Sequence, residues 1–252
     1  MLFLRVAIHL LVAVLTLALA ADPAAAQQAT RVSRAQSSLL LDMPGLADGT
    51  ERYDYLGWNA GYTVEGHYAF QGSLVGSFPR AQVHMAVLVP GFLWTRHVVT
   101  EQSIRGFPFF KEQKLEFLPA SRNISTDYVK TLLFKTGDAE CVAFSIRRIS
   151  TIGGAGTVDV GTRGFSGIYC GGPGQSLTAD LVTSALGGIY YRDKGKILRA
   201  YELDTRPIPD RVLRPGSSEV APSSTIYAQG EPPAQELLIA LSEYRIAQSE
   251  MK

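Results

Sequence analysis

The sequence predicts an α+β protein built mainly on an antiparallel β-sheet, as a sandwich or an open barrel of about eight strands. Short runs that alternate apolar and polar residues recur along the middle of the chain, between Gly and Pro breaks. The only two cysteines, Cys141 and Cys170, bracket the densest glycine run. One short packed helix and a C-terminal helix, which follows a linker rich in Pro and Ser, complete the predicted fold.

The first 26 residues have the pattern of a secretory signal peptide. Arg5 is followed by a nearly continuous apolar run and then by an A-x-A site before Gln27. We expect cleavage after Ala26, with Ala20 as the alternative. The apolar run is shorter than the roughly 20 residues that a membrane-spanning helix needs. We therefore expect no transmembrane segment once the signal has been removed.

The charge balance argues against polyanionic partners. Removal of Arg5 and Asp22 from 24 basic and 23 acidic residues leaves 23 and 22, so the net charge stays at +1. Such a chain has no electrostatic reason to bind nucleic acid or an anionic membrane. Arginine outnumbers lysine 17 to 7, which together with the signal favours a periplasmic or secreted protein of a bacterial envelope.

Changes in composition divide the chain into five parts. They are a signal peptide (1–26), a poorly defined N-terminal extension (27–60), a β-rich globular domain (61–204), a Pro/Ser-rich linker or arm (205–233) and a C-terminal amphipathic helix (234–252). The linker holds 6 of the 13 prolines, so we expect it to be exposed, unless it forms an arm laid over the sheet edge. The polar face of the helix is acidic, which favours docking on protein over membrane binding.

Four strands are predicted between residues 61 and 120. Segments 62–70 and 81–89 each alternate apolar and polar residues, which predicts one buried face and one face in solvent. A β-branched run supports a strand at 95–104, and alternating charged and apolar residues support another at 111–118. In the N-terminal extension only a short strand at 37–42 is expected.

A three-stranded meander is predicted around the cysteines. Runs 128–135 and 140–149 flank Gly137, and a glycine at the first central position of a two-residue loop favours a type II′ turn. If the chain turns again at 153–156, a third strand at 162–170 places Cys170 opposite Cys141. A disulfide closing this loop of about 30 residues would stabilise the fold by roughly 3 to 4 kcal/mol. The absence of C-x-x-C favours a structural bridge over a redox centre.

The last elements of the domain are a helix and a hairpin. Ser176 or Thr178 can cap the helix, whose apolar stripe ends at Gly187 and Gly188. Segments 189–192 and 196–203 then form a hairpin through a short loop that contains Gly195.

The cysteine register has an electrostatic consequence. If Cys141 faces Cys170, then Arg148 faces Arg163, and like charges directly opposed in a sheet are destabilising. A bulge or simple solvation of the two side chains would relieve the repulsion. Alternatively, both arginines bind an anion near the amides of the glycine turn. Arg148 and Arg163 are therefore candidate anion-binding residues.

No motif for catalysis, metal binding or cofactor binding is present. The segment around Ser166 resembles G-x-S-x-G but lacks its second glycine in the required place, which favours an ordinary strand serine. The mature chain has three histidines, His67, His84 and His97, and none of them forms an H-x-x-x-H pair. Only a convergence of three strands could bring them together. We predict no catalytic residue, no metal and no cofactor.

These observations favour an exported, disulfide-containing β-rich protein with a non-enzymatic role. The expected partner is a protein or another component of the envelope, whose identity the sequence leaves open. A carrier of a small molecule or lipid in a β-lined pocket is one alternative. A secreted hydrolase with scattered catalytic residues is another.

Overall fold

A computed structural model describes residues 30–46, 51–60, 63–74, 78–88, 92–97, 99–152, 159–213 and 242–246. The predicted signal peptide lies outside the described residues, as does the predicted linker from residue 214 onwards. Within the part described, no helix is long and apolar enough to span a bilayer.

The strands form one large sheet and two small ones. In chain order they are β1 (Thr30–Val32), β2 (Leu39–Leu41), β3 (Arg52–Ala60), β4 (Thr63–Gln71), β5 (Ala81–Leu88), β6 (Phe92–His97), β7 (Glu116–Phe117), β8 (Val129–Thr136), β9 (Ala139–Ile152), β10 (Asp159–Cys170), β11 (Ile189–Asp193), β12 (Lys196–Arg199) and β13 (Ser242–Ile246). The main sheet has the order β1-β3-β4-β5-β10-β9-β8-β7, the small sheet is β12-β11-β2, and β6 and β13 form a two-stranded ribbon. The main sheet is antiparallel and does not close into a barrel, so the predicted β-rich α+β class is confirmed.

Three short helices accompany the sheets. They are α1 (Glu101–Arg105), α2 (Ala179–Gly187) and α3 (Asp210–Leu213), and two 3₁₀ turns lie at Pro108–Phe110 and Ala120–Arg122. The side chain of Thr178 caps α2, because its hydroxyl accepts a hydrogen bond from the Leu181 N–H at 3.2 Å. Gly188 follows the helix as its C-cap. The predicted packed helix and its ends are therefore confirmed, with Thr178 as the cap.

Each face of the main sheet is covered. One face, which we call the core face, carries Val83, Phe144 and Phe165 and packs against β2, β11 and α2. On the other face, which we call the opposite face, Phe134, Cys141, Ala143, Ile168 and Cys170 pack against Ile104 of α1 and the aromatic residues Phe107 and Phe110. The aromatic residues after α1 thus close the end of the opposite face.

The predicted meander of β8, β9 and β10 is confirmed. Cys170 lies opposite Cys141, and a disulfide joins them. The register continues without a shift from this pair to Asp159 opposite Ile152. Gly137 has a φ of +54° while its neighbour Asp138 does not have a positive φ, as a type II′ turn requires.

The predicted solvent faces of β4 and β5 are wrong at the two histidines, although the side chain of Glu65, on the same side of β4 as His67, is 46% exposed. His67 and His84 lie on the polar sides of these strands, yet both are buried. Both strands are central, and protein covers both faces of the sheet at these two positions. Alternation of polar and apolar residues therefore does not indicate a solvent-exposed face in these two strands.

Two predicted strands are shorter than expected. In place of a strand at 95–104, β6 ends at His97 and Thr100 caps α1 through a capping box with Ser103. The predicted strand at 111–118 is reduced to β7, which pairs only with the end of β8. In both places a local cap or turn ends the strand sooner than the apolar pattern suggests.

The described domain extends beyond 61–204 at both ends. In the N-terminal extension β1 and β3 belong to the main sheet, and β2 lies where the short strand was expected. Residues 205–213 pack against the domain, because Val212 is fully buried and Arg199 donates hydrogen bonds to the carbonyls of Arg206 and Pro207.

The C-terminal segment differs from its prediction. Residues 242–246 form β13, paired antiparallel with β6, so the predicted helix is wrong for these five residues. The rest of the segment 234–252 lies outside the described residues. The apolar residues of this segment have helical spacing, but pairing of the backbone with β6 determines its conformation at residues 242–246.

Candidate functional site

A row of polar side chains crosses the opposite face of the main sheet. Asp54 on β3 pairs with Tyr68 on β4, Tyr68 pairs with His84 on β5, and His84 pairs with Ser166 on β10. Residues paired across neighbouring strands point to the same side of a sheet. These four side chains, which we call the polar row, therefore lie side by side over about 15 Å.

The polar row is buried. Asp54 is 1% exposed, and Tyr68, His84 and Ser166 are each 2% exposed. Within the described residues, the Tyr68 hydroxyl, both ring nitrogens of His84 and the Ser166 hydroxyl have no hydrogen-bond partner. Three neighbouring positions of the row thus present buried polar atoms without a protein partner.

Asp54 ends the row as a charged residue with charged partners. Its Oδ1 accepts a hydrogen bond from the Nε of Arg52 at 3.1 Å, and its Oδ2 forms an ion pair with the Nη2 of Arg52 at 2.6 Å. The Nε of Arg31 lies 3.9 Å from Oδ1. The charge of Asp54 is therefore compensated, as a buried carboxylate requires.

The other three residues of the row are uncharged. Burial, and to a smaller extent the charge of His67, lowers the pKa of His84 to about 3, so its ring is neutral at physiological pH. Burial and the charge of Asp54 raise the pKa of Tyr68. The centroids of the Tyr68 and His84 rings are 4.5 Å apart. This part of the site can therefore donate and accept hydrogen bonds without carrying charge.

Small residues adjoin the row on the same face. Gly66 precedes Tyr68 by two positions, Ala86 follows His84 by two, and Gly164 precedes Ser166 by two. Gly66 pairs with Ala86, and Ala86 pairs with Gly164. Because they carry at most a methyl group, backbone from another element can approach the sheet closely beside the row.

The row does not form a nucleophile-and-base pair. Ser166 lies within β10, as the predicted strand serine does, and no hydrogen bond joins it to His84. A histidine with a pKa of about 3 is also a weak general base at neutral pH. Ser166 and His84 therefore lack the hydrogen-bonded arrangement that serine-based hydrolysis needs.

The two candidate anion-binding arginines lie on the core face of the sheet. Arg148 pairs with Arg163 across β9 and β10, as the cysteine register predicts. Arg148 forms an ion pair with Glu202, and the Nη2 of Arg163 lies 3.0 Å from Oδ1 of Asp193. The predicted repulsion is therefore relieved by two carboxylates, and a bulge is not used.

The histidines do not converge. Tyr68 pairs with His84, so His67, one position earlier on β4, points to the core face, where its Nε2 lies 3.1 Å from Glu65. The structure describes the backbone of His97 but not its side chain. Among the side chains described, no group of three or more His, Cys, Asp and Glu is arranged to hold a metal ion.

Sequence patterns do not reveal the polar row, because its members come from four separate strands. Ser166 and His84 are candidates only as single residues, and neither Asp54 nor Tyr68 belongs to a functional motif. The pairing of β5 with β10 joins residues about 80 positions apart. Only the register of these strands would have revealed the row.

Comparisons with protein-family models, with curated proteins and with solved structures find no match to this chain.

Proposed function

We propose that this chain is an exported, non-enzymatic binding protein that takes a small uncharged polar molecule at the polar row. One observation carries the proposal: Tyr68, His84 and Ser166 are buried neighbours whose polar atoms have no protein partner in the described chain.

Buried polar atoms in folded proteins are almost always hydrogen bonded, to protein, to ordered water or to a ligand. Each bond left unmade costs about 1 to 3 kcal/mol. An isolated case can reflect local packing. Three cases at adjacent positions of one row support a built site, because one molecule with several polar groups could bond to all three.

The chemistry of the row sets the class of ligand. A neutral imidazole and two hydroxyls can each donate and accept, while the fixed charge of Asp54 is already compensated by Arg52 and Arg31. A charged ligand would lose its hydration without gaining a counter-ion. The three groups span two strand spacings, about 10 Å. We therefore expect an uncharged molecule with hydroxyl, carbonyl or amide groups about 5 Å apart.

The burial of the row favours a small molecule over a protein partner. Side chains that are 2% exposed cannot contact a protein that docks on the surface. The predicted signal peptide and the Cys141–Cys170 disulfide support a periplasmic or secreted location. Of the functions that the sequence left open, a small-molecule carrier agrees best with these features.

Native mass spectrometry of the protein isolated from its own compartment tests the proposal. The test variant is Tyr68→Phe with Ser166→Ala, which removes two hydroxyls from the row. The matched control is Tyr128→Phe with Ser125→Ala, which removes two exposed hydroxyls. We expect wild type and control to carry the same added mass, and the test variant to lose most of it.

Two results would overturn the proposal. One is wild-type protein without any added mass after gentle isolation from the native compartment. The other is an added mass that the test variant retains at the wild-type level, because the ligand would then be bound elsewhere.

A further inference from the structure

The geometry points to a removable cover at the polar row: β6 crosses the opposite face over β10, which carries Ser166, β13 holds β6 there by strand pairing, and release of β13 opens the row. This inference rests on the proposed function only in taking the row as the binding site.

The chain path places β6 over the opposite face. Both edges of β5 are occupied, by β4 and by β10, so the chain that follows β5 cannot extend the sheet beside it. After β6, Val99 and Ile104 pack in the cluster that contains the disulfide, which lies on the opposite face. The core face is covered by the small sheet and α2. β6 therefore runs back across the opposite face.

The contacts of β6 agree with this path. It lies against β9 and β10, and β10 carries Ser166 and its small neighbour Gly164. A row that is 2% exposed must be covered by other parts of the chain. The adjoining strip of Gly66, Ala86 and Gly164 leaves room for a strand to approach the sheet here.

β13 supplies the backbone partner of β6. In the described chain β6 pairs with β13 alone, from Ser242 opposite His97 to Ile246 opposite Phe92. Without this ladder, β6 would lie over the sheet with unpaired amides and carbonyls. A two-stranded ribbon is also marginally stable by itself. The ribbon can therefore open at a lower free energy than the main sheet.

Chemical labelling of His84 tests the cover without any ligand. Diethyl pyrocarbonate modifies neutral, accessible imidazoles, and peptide mapping reads His84 and His67 separately. His67 is buried on the core face, which makes it an internal control. The test variant of the full chain is Glu243→Pro with Tyr244→Pro. Neighbouring residues alternate between the two edges of a strand, so one of the two prolines removes an N–H from the ladder with β6. The control is Glu243→Thr with Tyr244→Thr, which changes the charge equally and keeps strand-forming residues.

We expect the proline variant to label His84 on the order of tenfold faster or more, with His67 unchanged and with the threonine control close to wild type. An unchanged His84 rate in the proline variant would overturn the inference. Equal acceleration at His84 and His67 would overturn it too, because the opening would not be confined to one face. Failure to find a ligand would leave this readout intact, so the cover and the proposed function can fail separately.

Discussion

Tyr68→Phe should make the ligand-free protein more stable. The substitution removes a hydroxyl that is buried and without a hydrogen-bond partner in the described structure, and it keeps the ring that packs beside His84 at a centroid distance of 4.5 Å. An unmade buried bond costs about 1 to 3 kcal/mol. For a chain of this length each kcal/mol shifts the Tm by about 2 to 4 °C. The expected rise in Tm is therefore about 2 to 12 °C.

Tyr169→Phe is the matched control. Tyr169 is also a buried tyrosine of the main sheet, but its hydroxyl donates a hydrogen bond to the carbonyl of Pro44 at 2.8 Å. Its loss should lower stability by about 0.5 to 1.5 kcal/mol. Calorimetry on protein freed of small molecules by unfolding, dialysis and refolding would compare the two. If Tyr68→Phe destabilises as much as Tyr169→Phe, the Tyr68 hydroxyl has a partner and the argument for the site fails.

Three further predictions concern the disulfide, the pH response and the arginine pair. Replacing Cys141 and Cys170 together by Ala should lower the free energy of unfolding by about 3 to 4 kcal/mol in denaturant titrations, and alkylation of unreduced wild type should label no thiol. His84 is neutral in the folded protein, with its pKa lowered to about 3 from 6.5, chiefly by burial. The unfolded state therefore binds one more proton as pH falls below about 6.5, and stability should decline by up to about 1.4 kcal/mol per pH unit from there. His84→Gln should flatten this slope between pH 6.5 and 5, and an unchanged slope would show that His84 is not held neutral. Because Arg148 and Arg163 each have a carboxylate partner, phosphate should raise the Tm equally in wild type and in the variant with Gln at both positions. A larger rise in wild type would instead establish the anion site.

The parts of the fold that the sequence predicted correctly depend on local signals. Gly137 determines the turn between β8 and β9, and Thr178 and Gly188 delimit α2. The meander register followed from one long-range constraint, because pairing Cys141 with Cys170 determines the partner of every other residue in β9 and β10.

The candidate site depends on information that local patterns do not contain. The residue on β10 that lies opposite His84 depends on the register between β5 and β10. The alternation of polar and apolar residues within β5 does not determine that register. Tyr68 looks like an ordinary core residue until its neighbours across the strands are known. Likewise, residues 242–246 form a strand because they pair with β6. The spacing of apolar residues in this segment is helical and does not predict that pairing.

The central claim is that the polar row binds a small molecule, and the ring nitrogens of His84 report on it most directly. Nitrogen-15 NMR of ligand-free, histidine-labelled protein would be recorded before and after adding the small-molecule extract of the native compartment. We predict that the extract shifts the two His84 nitrogens, as new hydrogen bonds form, and leaves those of His67 on the core face unchanged. Unshifted His84 nitrogens, with extract that measurably binds the protein, would contradict the assignment of the site to the polar row.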